Sequence, residues 1–323
     1  MSHLELTDDV LSVVVDPDHG ADILSLVWSA SQLELLARSP WHDSAARQLR
    51  NPTPRWYATS EEAWLSTYRG GWQVLFPNAG PQSTQAGVAQ GFHGEAALAP
   101  WHVVDADGTR VALTLELFTA PLRISRVLEV RDGRLLISDD VENLSDVDVL
   151  YDYVQHPALS SQFLSPGSRI DTGASTFVAA DGQASVIAGR YRWPYCATSR
   201  GQADLSLIGD EPAARFGWLA DFDGHWYAIR NPSANLTLAV AWSGAPLDYA
   251  WYWQEFNATV GFPWFRRTRT MAIEPASTGA GGTDRRRTVI APRAACRFEL
   301  VMRVVPGTAA VAAVSLGGDI LPR

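Results

Sequence analysis

Short apolar runs separated by turn-forming residues recur along the chain. In Val111–Phe118 apolar residues occupy the odd positions up to Leu117, and polar residues fall only between them. This period of two is typical of a half-buried β-strand. Runs of similar composition predict further strands at Leu11–Val15, Asp22–Trp28, Ile124–Val130, Leu135–Val141, Asp148–Val154, Trp226–Arg230, Leu236–Trp242, Tyr249–Gln254, Arg269–Glu274 and Cys296–Val305.

The segments between these runs favour antiparallel pairing. Asp107-Gly108 and Asp132-Gly133 are hairpin turn signals, and Asp223-Gly224 is a third before Trp226–Arg230. Helical periodicity is scarce, with short helices or turns expected only at Ser44–Asn51 and Glu61–Leu65. Because βαβ spacing and phosphate-binding glycine motifs are absent, a nucleotide-binding α/β fold is unsupported. We therefore predict an all-β protein, a large antiparallel β-sandwich.

The bulk composition fits one large globular unit. The 323 residues are 46% hydrophobic and 19% charged, and all-β folds of more than 200 residues often form one domain. We expect a single β-sandwich domain over residues 1–323, with the glycine- and arginine-rich stretch Gly279–Arg287 as an exposed loop rather than a linker. A cluster of anion-binding arginines at Arg285–Arg287 is the alternative for that stretch.

Charge and cysteine content narrow the classes of partner. The net charge of −9 argues against nucleic acid or an anionic membrane as a partner. All 26 basic residues are arginine, so a lysine Schiff base is excluded. Cys196 and Cys296 form no metal-binding spacing, although a disulfide between them stays open. The sequence shows neither a signal peptide nor an 18-residue apolar run, which favours a cytoplasmic protein.

Two residues offer acid–base chemistry within aromatic strands. His156 follows Tyr151–Gln155, and Glu255 follows Trp251–Gln254. A histidine and a carboxylate framed by aromatic rings can transfer protons on a stacked sugar ring, and partial burial would raise the pKa of such a carboxylate. The alternative for each is a structural residue that is satisfied by hydrogen bonds or by an ion pair.

Three further polar positions are candidates for sugar binding. Arg69 precedes Gly70-Gly71, and His93 lies between Phe92 and Gly94, so that flanking glycines allow a close approach to a ligand. Asp221, two residues before Asp223, could bind a sugar or a cation. The local alternative for Arg69 and His93 is a turn residue bonded to backbone carbonyls, and for Asp221 a hairpin.

These motifs, taken in chain order, resemble those of the aldose 1-epimerase (galactose mutarotase-like) superfamily. The resemblance extends from about residue 20 to residue 305 and rests on an ordered set of weak motifs rather than on one strong one. Its segments are Gly20–Leu26 with Glu34–Leu36, Arg69–Trp72 through Phe76–Gly80, Phe92–Gly94 with Pro100-Trp101, Val141–Asp146, His156-Pro157, Gly261–Pro263 after Glu255, and Ala272–Pro275.

The resemblance implies both a fold and a set of roles. The fold would be a large antiparallel β-supersandwich. His156 would be the general acid that protonates the ring oxygen, and Glu255 the base that deprotonates the anomeric hydroxyl. Arg69 and His93 would bind hydroxyls, and the candidates for a sugar-binding aspartate of many members are Asp221, Asp223 and Asp171. The aromatic residues beside Glu255, independently of the resemblance, indicate that Trp253 would stack on the ring. The segment after His156 lacks the aromatic residue and the asparagine that are usual there.

The leading hypothesis is therefore an aldose 1-epimerase-like enzyme. It would interconvert the α and β anomers of a free or phosphorylated aldose, as a monomer or homodimer, without a cofactor or metal. Because the segment after His156 is altered, a non-catalytic carbohydrate-binding or sensor protein on the same fold is the alternative. A lyase or hydrolase is a third possibility, and it would need a second acid.

Overall fold

The computed structural model describes residues 3–52, 57–181, 185–281 and 284–323, so Gly282 and Thr283 of the predicted loop lie outside the described residues. Within these residues, 17 strands form one continuous sheet and eight form two-stranded ribbons. The strands of the continuous sheet are β1 (Leu4–Thr7), β2 (Leu11–Asp16), β3 (Asp22–Trp28), β4 (Leu33–Glu34), β5 (Trp72–Leu75), β8 (His102–Ala106), β9 (Arg110–Glu116), β10 (Leu122–Arg131), β11 (Arg134–Asn143), β13 (Val154–Pro157), β14 (Arg169–Ala179), β15 (Gly189–Arg192), β18 (Ala213–Asn231), β19 (Leu236–Trp242), β20 (Tyr249–Phe256), β21 (Arg269–Ala276) and β23 (Ala295–Pro306).

The remaining elements are short. The ribbons pair β6 (Ser83–Gln85) with β7 (Val88–Gln90), β12 (Val149–Tyr151) with β22 (Thr288–Ile290), β16 (Tyr195–Thr198) with β17 (Gly201–Asp204), and β24 (Val311–Val314) with β25 (Ile320–Pro322). The helices are α1 (His42–Arg50) and α2 (Ser60–Thr67). Neither helix is long and apolar enough to cross a membrane, and no other helix among the described residues is.

The continuous sheet folds into two layers that share the bent strands β14 and β18. In the first layer the hydrogen-bonded order is β2–β3–β5–β13–β21–β20–β18–β14. In the second layer the order is β18–β19–β23–β11–β10–β9–β8. Every one of these pairings is antiparallel, which confirms the predicted all-β supersandwich.

The sequence-predicted elements agree with this architecture, apart from one turn and one divided strand. Hairpins occur at Asp107-Gly108 and at Asp132-Gly133, where both residues of the second pair have positive φ (52° and 68°). Asp223-Gly224 is not a hairpin turn, because β18 continues through it while β14 shifts register between Thr172 and Ala174. The run predicted at Asp148–Val154 is divided between β12 and the start of β13.

The core lies between the two layers, and its apolar packing is interrupted by one buried ion pair. Leu122, Ile124, Leu128 and Val130 of β10 are buried on the inner face. Arg126 occupies the same face with no exposed surface, and the period of two therefore directs a charge into the core.

The Arg126 guanidinium donates two hydrogen bonds to the carboxylate of Asp139 of β11, at 2.9 and 2.7 Å, in a bidentate ion pair. Asp139 also accepts hydrogen bonds from the Tyr153 hydroxyl at 2.6 Å and from the Gln155 amide at 3.1 Å. Gln155 in turn accepts a 2.7 Å bond from the Trp72 indole of β5. These contacts connect the second layer to β5, to β13 and to the residue just before β13.

We predict that Asp139→Ala lowers the free energy of unfolding by about 3–5 kcal/mol, because it leaves the Arg126 charge buried without its partner. Asp140→Ala is the matched control. Asp140 is the next residue of β11, and its pair with Arg297 is exposed, so we expect a loss of only about 0–1 kcal/mol. Guanidinium unfolding measures both values. Similar losses in the two variants would contradict the conclusion that the buried Arg126–Asp139 pair stabilises the contact between the two layers.

Candidate functional site

A pocket of about 300 Å³ lies on the outer face of the first layer. This volume is at the lower end of the range of about 300–1,000 Å³ that is usual for small-molecule sites. Nine of its 16 lining residues carry aromatic rings, counting the two histidines, and two carry carboxyl groups. The lining residues are Glu61, Trp64, Leu65, Tyr68, Gly80, Pro81, Phe92, His93, His156, Phe216, Trp251, Trp253, Pro263, Trp264, Glu274 and Ala280.

Strand alternation explains why His156 and Glu274 meet in this pocket. Successive side chains of a strand point to opposite faces, so Tyr153 and Gln155 face the core while His156 faces outward. The antiparallel pairing of β13 with β21 aligns Val154 with Ala276, and two residues further on each strand it places His156 opposite Glu274. Their side chains approach to 3.6 Å between Nε2 and Oε1.

Burial acts on both members of the pair. Desolvation lowers the pKa of His156 to about 4 and raises the pKa of Glu274 well above its usual value. Both shifts disfavour charge, and the state that both favour is a neutral imidazole beside a protonated carboxyl group, which has one transferable proton and no net charge. One group of the pair is then a proton donor and the other a proton acceptor, which is the requirement for acid–base catalysis.

His93 presents a defined donor to the same pocket. Its Nδ1 accepts a 3.1 Å hydrogen bond from the Gly80 N–H, and this bond requires the neutral ring to carry its proton on Nε2. Burial and the neighbouring His156 lower the pKa of His93 well below its usual value, so the ring stays neutral. The residue has φ of 62°, and a Cβ on the following Gly94 would collide with the Phe76 carbonyl. The turn therefore needs glycine at position 94.

Aromatic rings surround the pair on several sides. The Trp253 ring lies 5.6 Å from that of His156, and the Trp264 ring lies 5.3 Å from Trp253 between centroids. Trp64 contacts both His93, at 4.7 Å, and Tyr68, on which it stacks at 4.7 Å. Such faces exclude water and fit the C–H face of a sugar ring.

Helix α2 builds one wall of the pocket. Thr59 caps the helix, because its side chain accepts a hydrogen bond from the Glu62 N–H. The Glu62 carboxylate accepts a second hydrogen bond from the N–H of Ala58. These two bonds fix where the helix begins. Trp64 and Tyr68 are one turn apart, so both rings point to the same side and line the pocket.

The structure places Glu255 outside the pocket. This residue is not among the pocket-lining residues. Its carboxylate accepts hydrogen bonds from the N–H groups of Ala258 and Thr259, at 2.7 and 3.1 Å, and from the Thr259 hydroxyl. Glu255 is close to the end of β20, where the turn that follows offers these donors. Its carboxylate therefore stabilises that turn.

Arg69 and Asp221 also lie outside the pocket. Arg69 is buried and pairs with Asp16 at 2.7 Å and with Asp22 at 3.6 Å, and it contacts a different cavity. Asp221 is more than half exposed and binds Arg190 and Thr176. Of the predicted site residues, the structure brings together His156, His93 and Trp253.

Glu274 lines the pocket although the sequence analysis did not predict it as a site residue. It lies in the segment Ala272–Pro275 and is a lone acid between Ala272 and Ala276 on one face of β21. An isolated carboxylate on an otherwise small and apolar strand face is the signal that could have identified it. The described residues contain no cluster of three or more His, Cys, Asp or Glu side chains that could hold a metal ion.

Sequence comparison assigns the family. Residues 1–290 match the family described as a domain of unknown function (DUF4432). The chain belongs to this family. No functionally curated protein shows significant sequence similarity to the chain.

Solved structures show the fold of this family member. The Slr1438 protein of Synechocystis sp. PCC 6803 superposes with a TM-score of 0.69 at 17% identity, over 94% of this chain and 96% of that one. A galactose mutarotase related enzyme from Lactobacillus acidophilus has a TM-score of 0.65 at 15% identity, over 97% and 100%. An aldose epimerase homologue from C. elegans has a TM-score of 0.66 at 13% identity, over 95% and 99%. At these identities the similarity establishes the galactose mutarotase-like fold.

We predict opposite effects for two isosteric substitutions, Glu274→Gln and Glu255→Gln. The raised pKa of Glu274 means that its contribution to stability is complete at low pH and is lost as the pH rises through its folded-state value. Glu274→Gln should therefore gain stability relative to the wild type as the pH rises above the ordinary glutamate pKa, by about 1.4 kcal/mol per pH unit until the folded-state pKa is reached. Glu255→Gln should lose about 1–2 kcal/mol, because it weakens charge-assisted bonds.

Denaturant unfolding at several pH values measures both effects. A stability difference for Glu274→Gln that does not change with pH would contradict the raised pKa. A Glu255→Gln variant as stable as the wild type would contradict the structural role of Glu255.

Proposed function

We propose that this protein is an aldose 1-epimerase-like isomerase that interconverts the α and β anomers of a free aldose. The observation that supports this function is the His156–Glu274 pair, with 3.6 Å between Nε2 and Oε1, in an aromatic pocket of monosaccharide size. In this proposal Glu274 has the acid–base role beside His156 that the sequence analysis assigned to Glu255.

The proposed reaction needs one acid and one base at the same time. One member of the pair protonates the ring oxygen while the other removes the proton of the anomeric hydroxyl. The bond between C1 and the ring oxygen breaks to give the open aldehyde. Rotation about the C1–C2 bond exposes the other face of the carbonyl, and reclosure with the proton transfers reversed yields the other anomer.

The shared proton suits this reversible chemistry. With imidazolium and carboxylate, His156 is the acid and Glu274 the base; with neutral imidazole and carboxylic acid, the roles are exchanged. The forward and reverse reactions use the two forms in turn. Both forms hold the same single proton and have no net charge, and the pKa shifts of the two groups favour the form without separated charges, which limits the cost of burying the pair.

The other pocket residues support positioning of the ring. The Nε2–H of His93 can donate to a sugar oxygen, since its Nδ1 is occupied by Gly80. Trp253 and Trp264 offer stacking surfaces beside His156. Holding the ring in place reduces the entropy that the reaction would otherwise lose.

The charges of the pocket favour a free sugar over a phosphorylated one. Glu61 and Glu274 contribute carboxyl groups, and the described residues that line the pocket include no arginine. The chain contains no lysine. A phosphate dianion would therefore meet no cation in the pocket, and losing its hydration would be unfavourable.

We predict that the protein accelerates anomer interconversion of at least one of D-glucose, D-galactose and D-xylose, measured by polarimetry or by magnetisation-transfer NMR. His156→Asn and Glu274→Gln should each lower kcat/KM by about 10²–10⁴-fold, the usual contribution of a positioned proton donor or acceptor. Asp221→Asn is the control and should retain the rate, because Asp221 lies outside the pocket.

A full rate in Glu274→Gln would contradict the mechanism. Calorimetric binding of these sugars without any rate would instead support the alternative, a carbohydrate-binding or sensor protein.

We also predict that D-glucose 6-phosphate is used less well than D-glucose, by about tenfold or more in kcat/KM, which corresponds to about 1.4 kcal/mol of discrimination. Glu61→Gln should narrow this difference, because it removes a like charge from the pocket wall. The same rate assays on wild type and variant measure it. A preference for the phosphorylated sugar would contradict a pocket built for free aldoses.

A further inference from the structure

Five buried polar side chains occupy one continuous row across the first layer, at Asp16, Asp22, Gln73, His156 and Glu274. The strand registers pair Asp16 with Asp22 and Gln73 with His156. The pairing of Ile23 with Trp72 continues to Asp22 opposite Gln73, as that of Val154 with Ala276 continues to His156 opposite Glu274. Cross-strand partners lie on the same face of a sheet. The row therefore extends from the pocket across β13, β5 and β3 to β2.

Ion pairs stabilise the part of the row that is farthest from the pocket, at Asp16 and Asp22. Arg69 contacts Asp16 at 2.7 Å and Asp22 at 3.6 Å, and His19 lies 3.4 Å from Asp22. Two carboxylates offset the single guanidinium charge, so this segment does not present a net positive charge. Burial raises the pKa of Tyr68, and both Glu274 and Asp22 raise it further.

The row contains several polar atoms without a hydrogen-bond partner. Of the 15 such buried side-chain N and O atoms among the described residues, eight belong to the row and its two attached side chains. One of the eight, Asp16 Oδ2, lies 2.7 Å from Arg69 Nη1 in the ion pair. The other seven are His19 Nε2, Asp22 Oδ1, Arg69 Nε and Nη2, Gln73 Oε1, His156 Nδ1 and Glu274 Oε2. Since buried polar groups are normally satisfied by protein or by ordered water, this clustering indicates internal water.

The two ends of the row open into different cavities. His156 and Glu274 line the pocket, while Arg69 and His3 line a second cavity of about 370 Å³ beside α1. His3 Nε2 lies 3.8 Å from Asp16 Oδ2. The row, extended by Arg69 and His3 beside Asp16, therefore runs from the pocket to the second cavity.

We propose that this row is a hydrated proton path that connects the His156–Glu274 pair to the second cavity. When a sugar closes the pocket, the pair is cut off from solvent on that side. A pair that holds two protons or none lacks a base or an acid. When the pair holds no proton, the row takes up a proton at the second cavity and passes another to the pair. When the pair holds two, the transfer runs in the opposite direction, so the pair regains its single proton while the ligand stays bound. The use of this path rests on the proposed function, whereas its hydration does not.

A crystal structure of the ligand-free wild-type chain tests the hydration directly. We expect ordered waters bonded to Asp22 Oδ1, Gln73 Oε1 and His156 Nδ1. In Gln73→Met, a replacement of similar volume, the waters beside Gln73 and His156 should be lost. Gln254→Met is the control, since this buried glutamine of β20 faces the core, on the side of the sheet opposite to the row. A dry row in the wild type would overturn the proposal without any variant.

Proton transfer is tested by NMR on protein with ¹⁵N-labelled histidine. The exchange of the His156 ring proton with water should slow by about fivefold or more in Gln73→Met, the effect of losing one hydrogen-bonded link, and should not change in Gln254→Met. Equal exchange rates in the two variants would overturn the path even if the row is hydrated. Neither readout uses a sugar, so a protein without epimerase activity but with a hydrated, exchanging row would reject the proposed function alone.

Discussion

The buried contact between Arg126 and Asp139 is the interaction on which the position of the site depends. It joins the second layer to the first because the Tyr153 hydroxyl and the Gln155 amide bond to the same carboxylate. With Gln155 directed to the core, the next residue of β13 must face outward. The Arg126–Asp139 ion pair on the core side of β13 therefore helps to fix the outward orientation of His156.

Desolvation then sets the pKa values of the titratable pair in the pocket. The aromatic walls remove water from His156 and Glu274, and the pKa of each shifts toward the uncharged form. Burying polar groups in this way reduces stability locally, and the large apolar core between the layers offsets that cost. The polar row across β2, β3, β5, β13 and β21 has the same character, since it places hydrogen-bonding groups where packing alone would favour apolar residues.

Several features were predictable from local sequence because they depend on neighbours in the chain. Period-two alternation predicted the strands, and Asp-Gly pairs predicted the hairpins at positions 107 and 132. The third such pair, Asp223-Gly224, lies inside β18, where a bend between layers requires an irregular strand instead of a reversal. Aromatic framing and ordered motifs led to His156 and His93, and in the structure both line the pocket.

The sequence by itself determined the alternating pattern, the all-β class and the residue types able to transfer protons. It did not determine which carboxylate meets His156, because Glu255 and Glu274 both follow aromatic or apolar residues in strands. Tertiary structure decided that question: pairing of β13 with β21 aligned Glu274 with His156, while the turn after β20 supplied N–H donors that occupy Glu255. Register between distant strands is set by the packing of the whole sheet, and no local pattern specifies it.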